Sequence, residues 1–172
     1  MSWPVRIPAL ASLLLLPLAQ AAGAVPLQSS PKARGEVILV HPLSLVRIAD
    51  MDFATLGVTT GGIATIDPVS GNMTVSGGLL HLGGTPSPAR YVGAAAKKSV
   101  VNIRIPNKPL LIRRVGGTET LSVSNFTLDA PDKRAMAQQT SFTFAVGAQI
   151  SVPAGAVDGI YVGDLDVTVQ YP

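Results

Sequence analysis

The stretch "GIYVGDLDVTVQYP", Gly159 to Pro172, decides how this sequence is read. From Tyr161 every second residue is apolar or glycine: Tyr161, Gly163, Leu165, Val167, Val169 and Tyr171. Asp164, Asp166, Thr168 and Gln170 stand between them. A period of two marks a strand with one buried face. Terminal residues tend to fray unless tied down, so a strand this regular predicts a clamp.

The same pattern extends back along the chain. Val37 to His41 is apolar on both faces up to Pro42, as in a central strand, and Leu43 to Ala49 continues as a second short strand. Phe53 and Leu56 are expected core anchors. "GGIATIDPVSGNMTVSGG" predicts a hairpin, Ile63–Ile66 and Met73–Val75, turning through Asp67 to Gly71. Further strands are expected at Leu79–Leu82 and Ala89–Gly93, in "SVVNIRIP" and "PLLIRRV", and in "TETLSVSNFTLD", whose alternation shifts phase before Phe126. "SFTFAV" and "AQISV" add two more, whereas "APDKRAMAQQT" predicts a loop or one turn. With 17 Gly and 14 Pro at the joints and no sustained helical period, the fold class is all-β: an Ig-like antiparallel sandwich.

The first residues are set apart. Arg6 precedes an apolar run, Ile7 to Ala19, and "AQAAGA" follows, the order of a signal peptide. The run is too short for a bilayer span of ~20 residues. Cleavage is expected after Ala21, with Ala24 as the alternative. The organisation is thus 1–21 signal peptide, 22–34 flexible leader rich in Pro, Ser and charge, and 35–172 one β-sandwich domain. An exported protein in the periplasm, at the cell surface or outside the cell follows, with no transmembrane segment after cleavage.

Removing Arg6 from 13 Lys and Arg leaves 12 against 10 Asp and Glu, so the charge falls from +3 to +2. No basic stripe interleaved with aromatics argues for nucleic acid. The chain has no cysteine. That excludes a disulfide framework, a thiol nucleophile and Cys-based zinc sites, and leaves hydrophobic burial to hold the fold.

Catalytic chemistry finds little to build on. His41 and His81 sit in apolar stretches and read as core or strand-edge residues, in no metal-binding spacing. Asp50 with Asp52, and Asp164 with Asp166, are two apart and share a strand face. Calcium needs six or more oxygens, so a solvated face is the reading for both pairs. No G-x-S-x-G elbow is present, and no helix follows the glycine-rich "VGGTET" to hold a phosphate. No enzyme, cofactor or metal is expected.

The ending, with Tyr171 next to last, Gly159 twelve positions before it and an alternating strand between, resembles the C-terminal motif of chaperone–usher pilus subunits. Most of the mature chain resembles a bacterial family of exported β-domains of unknown function, itself similar to spore coat U proteins. The matching stretches are "HPLSLVRIADMDFATL", "GGIATIDPVSGNMTVSGGLLHLGGTPSPARY" and "FTFAVGAQISVPAGAVDGIYVGDLDVTVQYP". That family usually has Phe-Gly where this chain has Phe53-Ala54. The pilus resemblance implies a pilin-like fold with a groove beside the terminal strand, completed by a strand from another chain. It implies as partners a periplasmic chaperone, an outer-membrane usher and like subunits. Gly159, Tyr161, Leu165, Val167, Val169 and Tyr171 would then serve assembly.

Two functions stay open: a structural subunit of a surface appendage or coat, and a stand-alone exported module binding a surface ligand. Neighbouring genes for a chaperone and an usher would separate them. The N-terminal order makes one direct expectation. N-terminal sequencing of the exported protein should begin near Ala22, and recovery of Met1 on the mature form would refute it.

Overall fold

The computed structural model describes residues 34–37, 39 and 42–172. The chain divides into two units, Met1–Ile38 and Leu39–Pro172. In the first, residues 34–37 are exposed and without regular structure. The expected signal peptide, His41 and all of the leader but Arg34 lie outside the described residues.

Eleven strands make the second unit: β1 (Ser44–Ala49), β2 (Thr55–Ile66), β3 (Met73–Gly83), β4 (Ala89–Ala94), β5 (Ser99–Arg104), β6 (Leu110–Arg114), β7 (Thr120–Leu128), β8 (Lys133–Met136), β9 (Ser141–Val152), β10 (Tyr161–Val162) and β11 (Thr168–Gln170). Every described pairing is antiparallel. The expected all-β sandwich is what forms.

β9 is the hub. The two runs read as separate strands join through Gly147 into one, buried at every position from Phe144 to Ala148. One edge pairs first with β4, Ser141–Val146, and then with β2, Gln149–Val152. The other edge pairs with β7. The main sheet runs β1-β4-β9-β7-β6-β10, with the β2–β3 hairpin joined at β9. The second sheet has three short strands, β11-β5-β8.

The core has two parts. In one, Tyr91, Phe142, Phe144 and Val146 of the main sheet meet Val101, Ile103 and Met136 of the second sheet. Tyr91 stacks on Phe144 with ring centroids 5.1 Å apart, a favoured aromatic geometry. The other part, Ala64, Leu79, Leu121, Val123, Ala148, Ile150 and Val152, belongs to the main sheet alone. Instead of the second sheet, Met51, Phe53 and Ala156 of connecting segments pack there, with Leu56 of β2 and Tyr161 of β10. Phe53 and Leu56 are thus the anchors expected of them.

Several expectations need correction. Val37 and Leu39 are in no strand and are 78% and 88% exposed, so apolar composition there does not report a central strand. "APDKRAMAQQT" contains β8, an edge strand whose Met136 is 1% exposed. Its Lys133 and Arg134 disguise it, though charge is a common guard on an edge. The hairpin is longer than the expected Ile63–Ile66 and Met73–Val75: Gly61, Gly62, Gly77 and Gly78 lie inside β2 and β3, next to one of the two register shifts of their pairing. His81 is exposed on β3, which pairs with β2 alone among the described strands. The terminal run is two short strands on different sheets rather than one.

Other local readings hold. Asp67 Oδ1 accepts from the backbone N–H of Val69 and Ser70 at 3.1 and 2.6 Å and from the Ser70 hydroxyl at 2.8 Å. Such a side-chain turn explains the hairpin, and these donors hold the Asp67 carboxyl below its usual range. The phase shift before Phe126 is a bulge at Asn125, whose φ is 50°.

Ala54 carries φ 55°, the left-handed region that costs an L-residue ~1–2 kcal/mol. It stands where the resembled family usually has glycine, and the turn forms without it, helped by Ala54 N–H donating to Asp52 Oδ1 at 2.7 Å. After the greater flexibility of unfolded glycine is subtracted, Ala54→Gly should stabilise by about 0.5–1 kcal/mol. A urea melt measures this, and an unchanged or lower midpoint would contradict it.

Candidate functional site

Because the second sheet covers only part of the main one, a cleft of about 1170 Å³ opens over the rest. One wall is the chain from Arg47 to Val58, and the other is the chain from Ala156 to Asp166. Tyr91, Ile112, Leu121, Val123, Ile150 and Val152 contribute to its apolar floor. The first wall is pinned at Asp52, which exchanges two backbone hydrogen bonds with Ser87, both 2.9 Å.

The second wall is the segment from which the sequence reading began. Gly159 has φ 150° and a Cβ there would lie 2.8 Å from Arg114 Cδ. The residue must be glycine both for its backbone and for the arginine stem laid against it. Glu119 fixes that arginine, Nε to Oε2 2.7 Å, and the guanidinium holds the Glu119 carboxyl down at about 2. β10 then pairs with β6, Tyr161 opposite Arg114. Tyr161 packs on the second core cluster, and its hydroxyl donates to Val157 O at 2.7 Å.

The chain next crosses from the main sheet to the second. Gly163 makes this possible, since a Cβ there would sit 2.6 Å from Ile112 Cγ2. Leu165, Val167, Val169 and Tyr171 are half-buried against the first core cluster, while Asp164, Asp166, Thr168 and Gln170 are exposed. The alternation is therefore kept through a segment that changes sheets. β11 pairs with β5, Val169 opposite Ile103. The Tyr171 hydroxyl accepts from the Ala96 N–H at 2.9 Å, which is the clamp.

All six residues singled out thus lie on one continuous segment. Gly159, Tyr161 and Leu165 line the cleft, whereas Val167, Val169 and Tyr171 anchor the segment beyond it. The spacing did not reveal that Asp50 and Asp52 face Asp164 and Asp166 from opposite walls of one cleft. With Asp158 they make five lining carboxylates against one lining cation, Arg47, which is paired with Asp50. The walls close over Tyr91: burial, foremost, raises its hydroxyl pKa, Arg47 opposes, and Asp50 and Asp166 add to the rise.

Among the described residues, no group of three or more His, Cys, Asp or Glu could hold a metal ion, and no helix is long and apolar enough to cross a membrane. β1, β10 and β11 each pair along one edge only among the described strands.

Residues 43–171 match the family described as Domain of unknown function (DUF4402). The chain belongs to this family. No curated protein and no solved structure matches it. The DUF4402 match begins just before β1 and ends at Tyr171, so it spans both walls of the cleft.

The facing of the second wall gives a paired expectation. Val167→Asp would put a charge against the apolar core and should cost about 2 kcal/mol or more. Thr168→Asp, on the exposed side, should stay within about 0.5 kcal/mol. Thermal melts of the two variants compare them, and equal losses would show the facing to be wrong.

Proposed function

We propose that this chain is a non-catalytic structural subunit of a bacterial surface appendage or coat, pilin-like and assembled by strand addition. The observation that carries the reading is the cleft: an apolar floor flanked by strands with unused edges. Such an edge invites pairing with another chain. An added strand satisfies the backbone while its alternate side chains enter the floor. The volume exceeds the ~300–1,000 Å³ usual for a small-molecule pocket, which favours an extended segment over a compact ligand. A likeness to spore coat U proteins and pilus subunits is part of this proposal. It brings the same expected partners: a periplasmic chaperone that covers the cleft, an outer-membrane usher and further subunits.

Surface material sheared from cells that produce the chain tests this. Immunoblots after mild denaturation should show a ladder of multimers that collapses to one band on boiling. A single monomer band before boiling would refute the subunit reading and favour the stand-alone binding module.

A further inference from the structure

Tyr91 is 6% exposed and lines the cleft. It stands opposite Arg47 in the β1–β4 ladder, so both side chains share one face of the sheet, and its ring is fixed against Phe144. Its hydroxyl makes no hydrogen bond among the described residues. Buried polar groups nearly always have a partner, as the cleft's other tyrosine does: the Tyr161 hydroxyl donates to Val157 O at 2.7 Å. No fully buried side-chain oxygen or nitrogen among the described residues lacks a partner. The small exposed part of Tyr91 therefore includes its hydroxyl oxygen, open to the cleft.

The charges around that oxygen have one sign in excess. Asp50 and Asp166 act on it from opposite walls, with Arg47 opposing them. On the first wall Asp50 is held by Arg47, and Asp52 accepts from the Ala54 N–H. On the second wall Asp158, Asp164 and Asp166 are exposed and make no ion pair among the described residues. No three of these carboxylates converge as a metal site requires. The arrangement matches a cation whose charges are spaced apart. We propose that the cleft binds an aliphatic polyamine, with its methylene chain along the apolar floor, one ammonium donating to the Tyr91 hydroxyl oxygen and others to the second-wall carboxylates. This goes beyond the subunit reading and stands with or without it.

The floor decides for a polyamine over a basic peptide. Methylene spacers bury no polar group against Ile112, Val123 and Ile150, whereas a peptide brings amides that need partners there. The ammonium ends stay at the wet mouth while the chain lies on apolar surface, as a lysine stem does. Burial raises the Tyr91 pKa, so the phenol stays neutral and its oxygen is free to accept. An elongated ligand also suits a cleft of about 1170 Å³, too large for a compact one.

Titration calorimetry of the full mature chain with spermidine tests this. One spermidine should bind per chain, and n-butylamine should bind at least about tenfold more weakly, because it offers a single charge. Tyr91→Phe should keep the melting temperature, since the hydroxyl has no protein partner to lose, yet weaken spermidine about tenfold. Asp164→Asn/Asp166→Asn, at two exposed sites, should weaken it by at least as much and flatten its salt dependence. Absence of spermidine binding would overturn the inference. So would equal affinity for n-butylamine, unchanged affinity in both variants, or tighter binding of calcium or of a trilysine peptide. None of these results bears on the multimer ladder, which judges the subunit reading separately.

Discussion

The pairing of β9 along both of its edges is the constraint from which the rest of this structure follows. A strand buried on both faces has no water for its backbone, so each N–H and C=O needs a partner. β4 and β2 share one edge in succession and β7 takes the other. That arrangement commits most of the strands to one large sheet. Three short strands remain for the opposite layer, too few to cover it. The cleft is the uncovered remainder of the main sheet's apolar face.

The terminal segment ties the two layers at the margin of that remainder. It contributes Tyr161 to one core cluster and Leu165 to Tyr171 to the other. Its polar face turns to the cleft mouth and to solvent. Sequence alternation, sheet crossing and rim charge are thus one feature seen at three scales. Two glycines permit it, one by its backbone conformation and one by its lack of bulk against Ile112.

What could be read without the structure was whatever depends on local chemistry. The Asp67 turn, the bulge before Phe126 and the inward facing of Leu165, Val167 and Val169 all follow from residue type and period. The family, too, was legible in the order of three long stretches. The misses share a physical cause. Whether an apolar residue is covered depends on what reaches it, so Val37 and Leu39, both exposed, looked like part of a core strand. Whether a charged run pairs depends on a neighbour distant in sequence, so β8 looked like a loop. The glycines inside β2 and β3 mark close approach of backbones, which a residue pattern cannot distinguish from a turn. The joining of two aspartate pairs across one cleft is a tertiary fact with no local signal.

The position of β9 also shapes how the chain reaches this state. Gly62 pairs with Val152 and Val92 with Thr143, so the hub's contacts close loops that span much of the domain. Non-local pairing of this kind makes folding slow, because the entropy of loop closure is lost before the contacts compensate. The β2–β3 and β6–β7 hairpins can close on their own within microseconds, yet their apolar faces stay wet until β9 inserts between them. The interval between hairpin closure and hub insertion is the period in which this chain is most exposed to misassociation, and its length is set by topology rather than by final stability.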